Sequence, residues 1–298
     1  MLINSAQEAP ATARLRRALE GDGLIRAPGV VDALSGLLVE RAGFEAVHLT
    51  GSGLSRSMGY PDVGLLTMSE IVDRARSIAR SVRIPVIADA DEGYGNAINV
   101  MRTVLEFEAA GVAAIHIEDQ STPKRCGHYA GKRLIETKEM VGKIEAACAA
   151  RHSREFIIIA RTDAIATEGF ASAVKRANAY RQAGADVLFV EALESRDQLK
   201  QLTEEISAPL MINMFSSVRT PVVGVSDLRR LGYRIVIFPS HLQRATIKAI
   251  QRALALLQRE DASASDDHEL MVSLEEREEL IGLDEIVTLE KKYLSDVV

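Results

Sequence analysis

The chain has 298 residues, 47% of them hydrophobic and 26% charged, an ordinary composition for a folded globular protein and enough for one large barrel or two smaller domains. A formal net charge of −6 argues against non-specific nucleic-acid binding, and no apolar run approaches the roughly 18 residues a membrane helix needs. Met1 to Pro10 lacks the basic start and apolar core of a secretory signal, two cysteines suggest no disulfide framework, and no Cys/His cluster has zinc spacing, so the chain reads as a cytoplasmic protein.

After a polar lead-in with a helical stretch around Thr12 to Glu20, short apolar runs alternate with amphipathic segments of helical length, the pattern of βα units. Strands are expected at Leu24–Ala27, Ala46–Leu49, Val86–Asp89, Ala114–Glu118, Phe156–Arg161, Val187–Glu191, Leu210–Asn213 and Arg234–Phe238. Helices are expected at Asp32–Ala42, Ser69–Arg80, Ala97–Ala110, Lys138–Ala150, Phe170–Ala183, Arg196–Glu205, Ser226–Leu231 and His241–Arg259. Gly43, Gly111, Gly184 and Gly232 stand where helices should stop. Eight such units predict a (β/α)8 barrel over residues 1–259. An open doubly wound sheet would want a glycine-rich phosphate turn after the first strand, and none follows Ala27. Residues 260–298 read as a polar linker, Glu260 to His268, and C-terminal helices over Leu270 to Leu294 that pack on the barrel or on a neighbouring subunit.

Active sites of such barrels lie at the C-terminal ends of the strands. There the second strand presents Thr50-Gly51-Ser52-Gly53, a flexible turn with amides and hydroxyls suited to a carboxylate or phosphate. The third presents Asp89 and Asp91, two apart and so on one face of a strand; the fourth, His116, Glu118 and Asp119; the fifth, Arg161, a planar fork for a carboxylate; the sixth, Glu191; the seventh, Asn213. Any one of these acids is as readily a salt-bridge partner of Arg161 or Lys124. Together they favour a hard cation with oxygen ligands, Mg2+ or Mn2+. Lys124-Arg125-Cys126-Gly127-His128 reads as a mobile loop whose thiol lies among bases, a setting that favours thiolate. Asp62, in a Gly/Pro-rich loop, is a turn former or a site group. His48 is a core histidine or a site group, while His152 and His268 read as exposed.

Four motifs, Asp89-Ala-Asp-Glu-Gly-Tyr-Gly-Asn, His116-Ile-Glu-Asp-Gln, Lys124-Arg-Cys-Gly-His and Ala160-Arg-Thr-Asp-Ala, resemble the isocitrate lyase/phosphoenolpyruvate mutase superfamily from about Gly23 to Arg259. The branch they resemble contains 2-methylisocitrate lyase, 2,3-dimethylmalate lyase and carboxyvinyl-carboxyphosphonate phosphorylmutase. The resemblance implies a barrel whose eighth helix is exchanged between subunits in a dimer of dimers. It implies Mg2+ near Asp89, Asp91 and Glu118, partly through water, with Asp62 and His116 nearby. Thr50, Gly51 and Ser52 would bind the carboxylate of a small-molecule substrate, Arg161 other oxygens of it, and Cys126 would act as general acid, with Lys124 and His128 in its loop. Asp62, Glu191 and Asn213 complete the expected substrate contacts. One departure is clear: Ser216 stands where related enzymes carry a glutamate.

The expected reaction is Mg2+-dependent carbon–carbon cleavage of a 2-hydroxy di- or tricarboxylate to a 2-oxo acid such as pyruvate and a second carboxylate, with Cys126 protonating the departing carbanion. The base stays open among His48, Asp62 and the metal-site carboxylates. The competing readings are phosphorus–carbon bond formation, oxaloacetate hydrolysis or decarboxylation, and a barrel that binds without catalysis.

Overall fold

A computed structural model describes residues 9–127, 129, 131–215, 220–258 and 270–294. Eight parallel strands close on themselves in sequence order: β1 (Ile25–Val30), β2 (Val47–Leu49), β3 (Val86–Asp89), β4 (Ala114–Glu118), β5 (Ile157–Thr162), β6 (Val187–Val190), β7 (Leu210–Asn213) and β8 (Ile235–Phe238). This is the (β/α)8 barrel the periodicity predicts. Neighbouring strands set Asp89 beside His116 and Glu118 beside Arg161, so the polar strand ends share one rim.

The helices are α1 (Ala11–Glu20), α2 (Ala33–Arg41), α3 (Gly51–Ser57), α4 (Met68–Ser81), α5 (Ala97–Ala109), α6 (Thr137–Ala150), α7 (Ile165–Glu168), α8 (Phe170–Gln182), α9 (Arg196–Glu205), α10 (Val225–Leu231), α11 (His241–Leu257), α12 (Leu274–Ile281) and α13 (Leu283–Tyr293). The expected glycine stops hold, with positive φ at Gly43, Gly111, Gly184 and Gly232. Leu15 and Leu19 of α1 join Ile25, Ala114, Ile157, Val187, Met211 and Ile235 in one buried cluster. Those residues lie at or near the N-terminal ends of their strands, so α1 plugs the end of the barrel opposite the polar rim.

Three local readings change. β1 runs past the expected end at Ala27, through Pro28-Gly29 to Val30. Gly29 is required there because the Pro239 backbone occupies the space a Cβ would take. Thr50 to Gly53 is not a flexible turn: Thr50 caps α3, its hydroxyl accepting from the Gly53 amide at 3.2 Å. Glycine and serine disfavour helix, but burial of Gly51, Gly53, Leu54 and Ser55 overrides that preference. Asp91 lies beyond the end of β3 in a turn at φ 46°, so its nearness to Asp89 comes from the turn and not from strand alternation.

The barrel and its surrounding helices, Ala9–His241, form one compact unit, and the chain from Leu242 belongs to a second. In the second, Gly282 takes the left-handed conformation at φ 77° and joins α12 to α13. No residue of α11 is buried. Among the described residues no helix is long and apolar enough to cross a membrane. The expected linker, Glu260 to His268, lies outside the described residues.

Candidate active site

The rim is built outward from Asp89, at the end of β3. Its Oδ1 accepts from the Asp91 amide at 3.1 Å and its Oδ2 from the Gly51 amide at 3.3 Å, so it ties the start of α3 to the β3 turn. His116 Nδ1 approaches Asp89 Oδ1 at 3.5 Å, and His116 Nε2 lies 2.9 Å from His48 Nε2, a buried imidazole pair behind the carboxylate. Lys124 is buried, donates to Asp62 Oδ1 at 2.6 Å and lies 2.7 Å from Asp91 Oδ1. The sequence reading set its charge either beside the thiol or on a strand-end acid; the structure directs it to two carboxylates. It also draws Asp62, buried and ion-paired, to the rim, which no local signal around Pro61 revealed.

On the far side Glu118 Oε2 meets Arg161 Nε at 3.3 Å, and Arg161 forks onto Asp163 at 2.8 and 3.1 Å. Glu191 accepts from Asn213 Nδ2 at 3.4 Å. Gly127 closes the circle: a Cβ there would lie 2.7 Å from Arg161 Nη2 and 3.1 Å from Glu191 Cγ. The Cys126 loop is pinned at several points. Gln120 donates to the Arg125 carbonyl at 2.8 Å and accepts from the Arg125 amide at 2.9 Å, and the Cys126 amide donates to the Asp62 carbonyl at 3.2 Å. Lys132 Nζ donates to the Gly127 carbonyl at 2.6 Å and to Asp163 Oδ1 at 2.8 Å.

Thus Thr50, Gly51, Asp62, Asp89, Asp91, Glu118, Lys124, Arg161, Glu191 and Asn213 lie at or beside one rim. Ser52 is in the first turn of α3, its carbonyl accepting from Arg56 at 2.9 Å. Cys126 is half-buried and outside any disulfide, whereas His128 and Ser216 lie outside the described residues. His152 is exposed, as expected. Asp119, expected among the strand-end acids, instead accepts from Thr162, Tyr180 and the Asp163 amide. Gln120 and Asp163 belong to quoted motifs in which the sequence assigns them no role, and Lys132 follows the loop without any periodic signal.

Burial sets the electrostatics. It pushes Asp91 up to about 7, with Lys124 opposing and Asp89 reinforcing the rise. It pushes Glu118 well above the carboxylate range, against Arg161 and with Asp163. At Asp89 burial also works against the charged form, but His116, Lys124 and Arg161 outweigh it and hold the pKa low. At Lys124 burial is outweighed by Asp91, Asp89, Glu118 and Asp62, so the ammonium is held firmly charged. Glu118 Oε1 and the Tyr94 hydroxyl are buried without hydrogen-bond partners. A rim with more carboxylates than cations, an unpartnered carboxylate oxygen and an unpartnered hydroxyl suits a cation and an oxygen-rich ligand together.

The sequence profile described as phosphoenolpyruvate phosphomutase matches residues 15–258. The chain belongs to this family. The phosphoenolpyruvate phosphomutase family thus accounts for the whole barrel, as the four motifs imply. Within it, 2,3-dimethylmalate lyase of Eubacterium barkeri is 44% identical over 282 residues, 94% of this chain and 97% of the relative. A 2-methylisocitrate lyase of Aeropyrum pernix is 49% identical over 240 residues, covering 80% of this chain and 77% of that one. Among solved structures, a 2,3-dimethylmalate lyase superposes with a TM-score of 0.90 at 38% identity, covering 96% of each chain. Phosphonopyruvate hydrolase in complex with oxalate and Mg2+ superposes with a TM-score of 0.88 at 34% identity, covering 96% of this chain and 100% of that one.

Proposed function

We propose that the protein is a Mg2+-dependent carbon–carbon lyase acting on a 2-hydroxy di- or tricarboxylate of the 2-methylisocitrate or 2,3-dimethylmalate type. The observation that carries this reading is the seating of the Cys126 loop: its neighbour Gly127 rests against Arg161 and Glu191 on the rim that holds Asp89, Asp91 and Glu118. Relatives named as lyases for those two substrates, similar over most of the chain, support it.

The donor set fits Mg2+ or Mn2+. Glu118 Oε1 is a buried oxygen without a partner, and Asp89, Asp91 and Glu118 together offer only hard oxygen donors. Among the described residues no three Asp, Glu, His or Cys side chains converge tightly enough to grip an ion directly. Asp89, Asp91 and Glu118 would therefore hold it partly through water, as Mg2+ sites commonly do. When bound, the ion lowers the pKa of the substrate's 2-hydroxyl and offsets charge developing on that oxygen.

The chain's own groups do the rest. Thr50, Gly51 and Ser52 receive the carboxylate of the half that leaves as the 2-oxo acid, and the Arg161 fork binds oxygens on the other side. Glu191, steadied by Asn213, lines the far wall. The 2-hydroxyl proton passes to a base among His48, Asp62 and the metal-site carboxylates. As the 2-oxo group forms and the carbon–carbon bond breaks, the electron pair stays on the carbon beside the second carboxylate, and Cys126 gives that carbon its thiol proton. A general acid must hold its proton until then, which requires the basic flank to be balanced; Asp62 and Asp91 answer Lys124 in that way. His128 completes the loop's proposed catalytic set.

The same reading includes a homo-oligomer, a dimer of dimers that exchanges α11. Ile247, Ile250, Leu254 and Leu257 form a three- and four-residue stripe on α11 and are 48–68% exposed. Two thiols outside any disulfide fit a reducing, cytoplasmic setting.

The test is turnover of both hydroxy acids, scored by pyruvate release with Mg2+, with excess chelator, and after Mn2+ is restored. Cleavage of one substrate, lost with chelator and regained with either metal, is expected. No pyruvate from either substrate, or full activity in chelator, overturns the reading.

A further inference from the structure

Lys132 lies outside every motif considered above, yet it is among the most completely buried charged groups of the barrel, its side chain 2% exposed. Its ammonium makes two short contacts, 2.6 Å to the Gly127 carbonyl and 2.8 Å to Asp163 Oδ1. Asp163 is itself fully buried and already holds Arg161 through both carboxylate oxygens, at 2.8 Å to Nε and 3.1 Å to Nη2. Its own amide donates to Asp119 Oδ1 at 3.0 Å, and Asp119 also accepts from Thr162 at 2.7 Å and Tyr180 at 2.8 Å. Asp163 is therefore anchored from behind and paired in front before Lys132 is counted. Lys132 is thus a second cation on Asp163, beside an Arg161 that also meets Glu118 at 3.3 Å.

What Lys132 adds is the Gly127 carbonyl, one peptide away from Cys126. A lysine suits this task better than an arginine: a compact ammonium with three rotatable donors can serve a carbonyl and a carboxylate that do not lie in one plane. We propose that Lys132 is a positioning residue that ties the backbone of the Cys126 loop to Arg161 through Asp163, holding the proton-donating thiol and the carboxylate-binding fork in one register. The proposal rests on the lyase reading for the roles of Cys126 and Arg161. The contact itself does not, because Gly127 packs against Arg161 and Glu191 whatever the substrate.

Lys132→Met keeps most of the buried stem and removes both contacts. The first measurement is the rate of Cys126 alkylation by iodoacetamide in the substrate-free enzyme, resolved by peptide mass. Cys148 on α6 serves as the internal control; its thiol donates to the Gly184 carbonyl at 3.2 Å, away from the loop. Freed of its tether, Cys126 should react about tenfold faster or more, with Cys148 unchanged. The second is a kcat and KM split: misplacing the acid against Arg161 should lower kcat by about tenfold to a hundredfold, with a smaller change in KM. A folded variant with wild-type Cys126 reactivity overturns the proposal, as does an equal rise at both cysteines, which reports general loosening. Lys132→Gln, with a neutral donor, replaces the methionine variant should that one fail to fold, and collapse of both assigns Lys132 to the fold and overturns the positioning role. Failure of the lyase reading is seen separately, as absence of hydroxy-acid cleavage by the wild type, while thiol reactivity still reports the tether.

Discussion

Gly127 is the residue on which the loop's approach to the rim depends. A methyl there would stand 2.7 Å from Arg161 Nη2, and Arg161 cannot easily yield because Asp163 grips it through both oxygens. Gly127→Ala should cost about 1–3 kcal/mol of stability as overpacking and lower kcat/KM by at least about tenfold, measured by thermal unfolding and steady-state kinetics. Wild-type values in both would show that the loop does not rest on Arg161. At this scale the sequence is legible wherever a polar residue ends an apolar run, as for Asp89, Glu118, Arg161, Glu191 and Asn213. It is not legible where the partner is distant in the chain. Nothing local marks Lys124 as the partner of Asp62, and nothing near Lys132 points to Asp163. The turn at Asp91 was hidden for a different reason, because a two-residue spacing implies one face only while the strand lasts.

Among the elements, α1 carries the clearest structural consequence. Leu15 is 1% exposed within the cluster that closes the N-terminal end of the barrel. Leu15→Ala should lower stability by about 2–5 kcal/mol, the usual cost of a buried leucine cavity, and leave kcat of the folded enzyme unchanged because the rim lies at the other end. A fall in kcat with unchanged thermal stability would contradict that division of labour. The helix stops at Gly43, Gly111, Gly184 and Gly232 were readable because glycine takes the left-handed cap without strain. α3 was not readable, because its Gly- and Ser-rich sequence has weak helical preference and its order comes from burial and the Thr50 cap. The extension of β1 past Ala27 was not readable either, because Gly29 is needed only for the close approach of the Pro239 backbone.

For the whole molecule, eight βα periods and no phosphate-binding glycine turn were enough to choose the closed barrel over an open sheet. The proposed association beyond one chain rests on the apolar stripe of α11. Light scattering at micromolar concentration should report a tetramer, and the double change Ile250→Asp with Leu254→Asp should break it into smaller species. A wild-type monomer would remove the reason for an exchanged helix.

The account stands most directly on Cys126 as the proton donor. Serine in its place is nearly isosteric but far less acidic, so Cys126→Ser should bind substrate and fail to deliver the proton. With Mg2+ and the hydroxy acid that the wild type cleaves, kcat should fall by about a hundredfold to ten-thousandfold while KM stays within a few-fold. Undiminished turnover by the serine variant would contradict the mechanism.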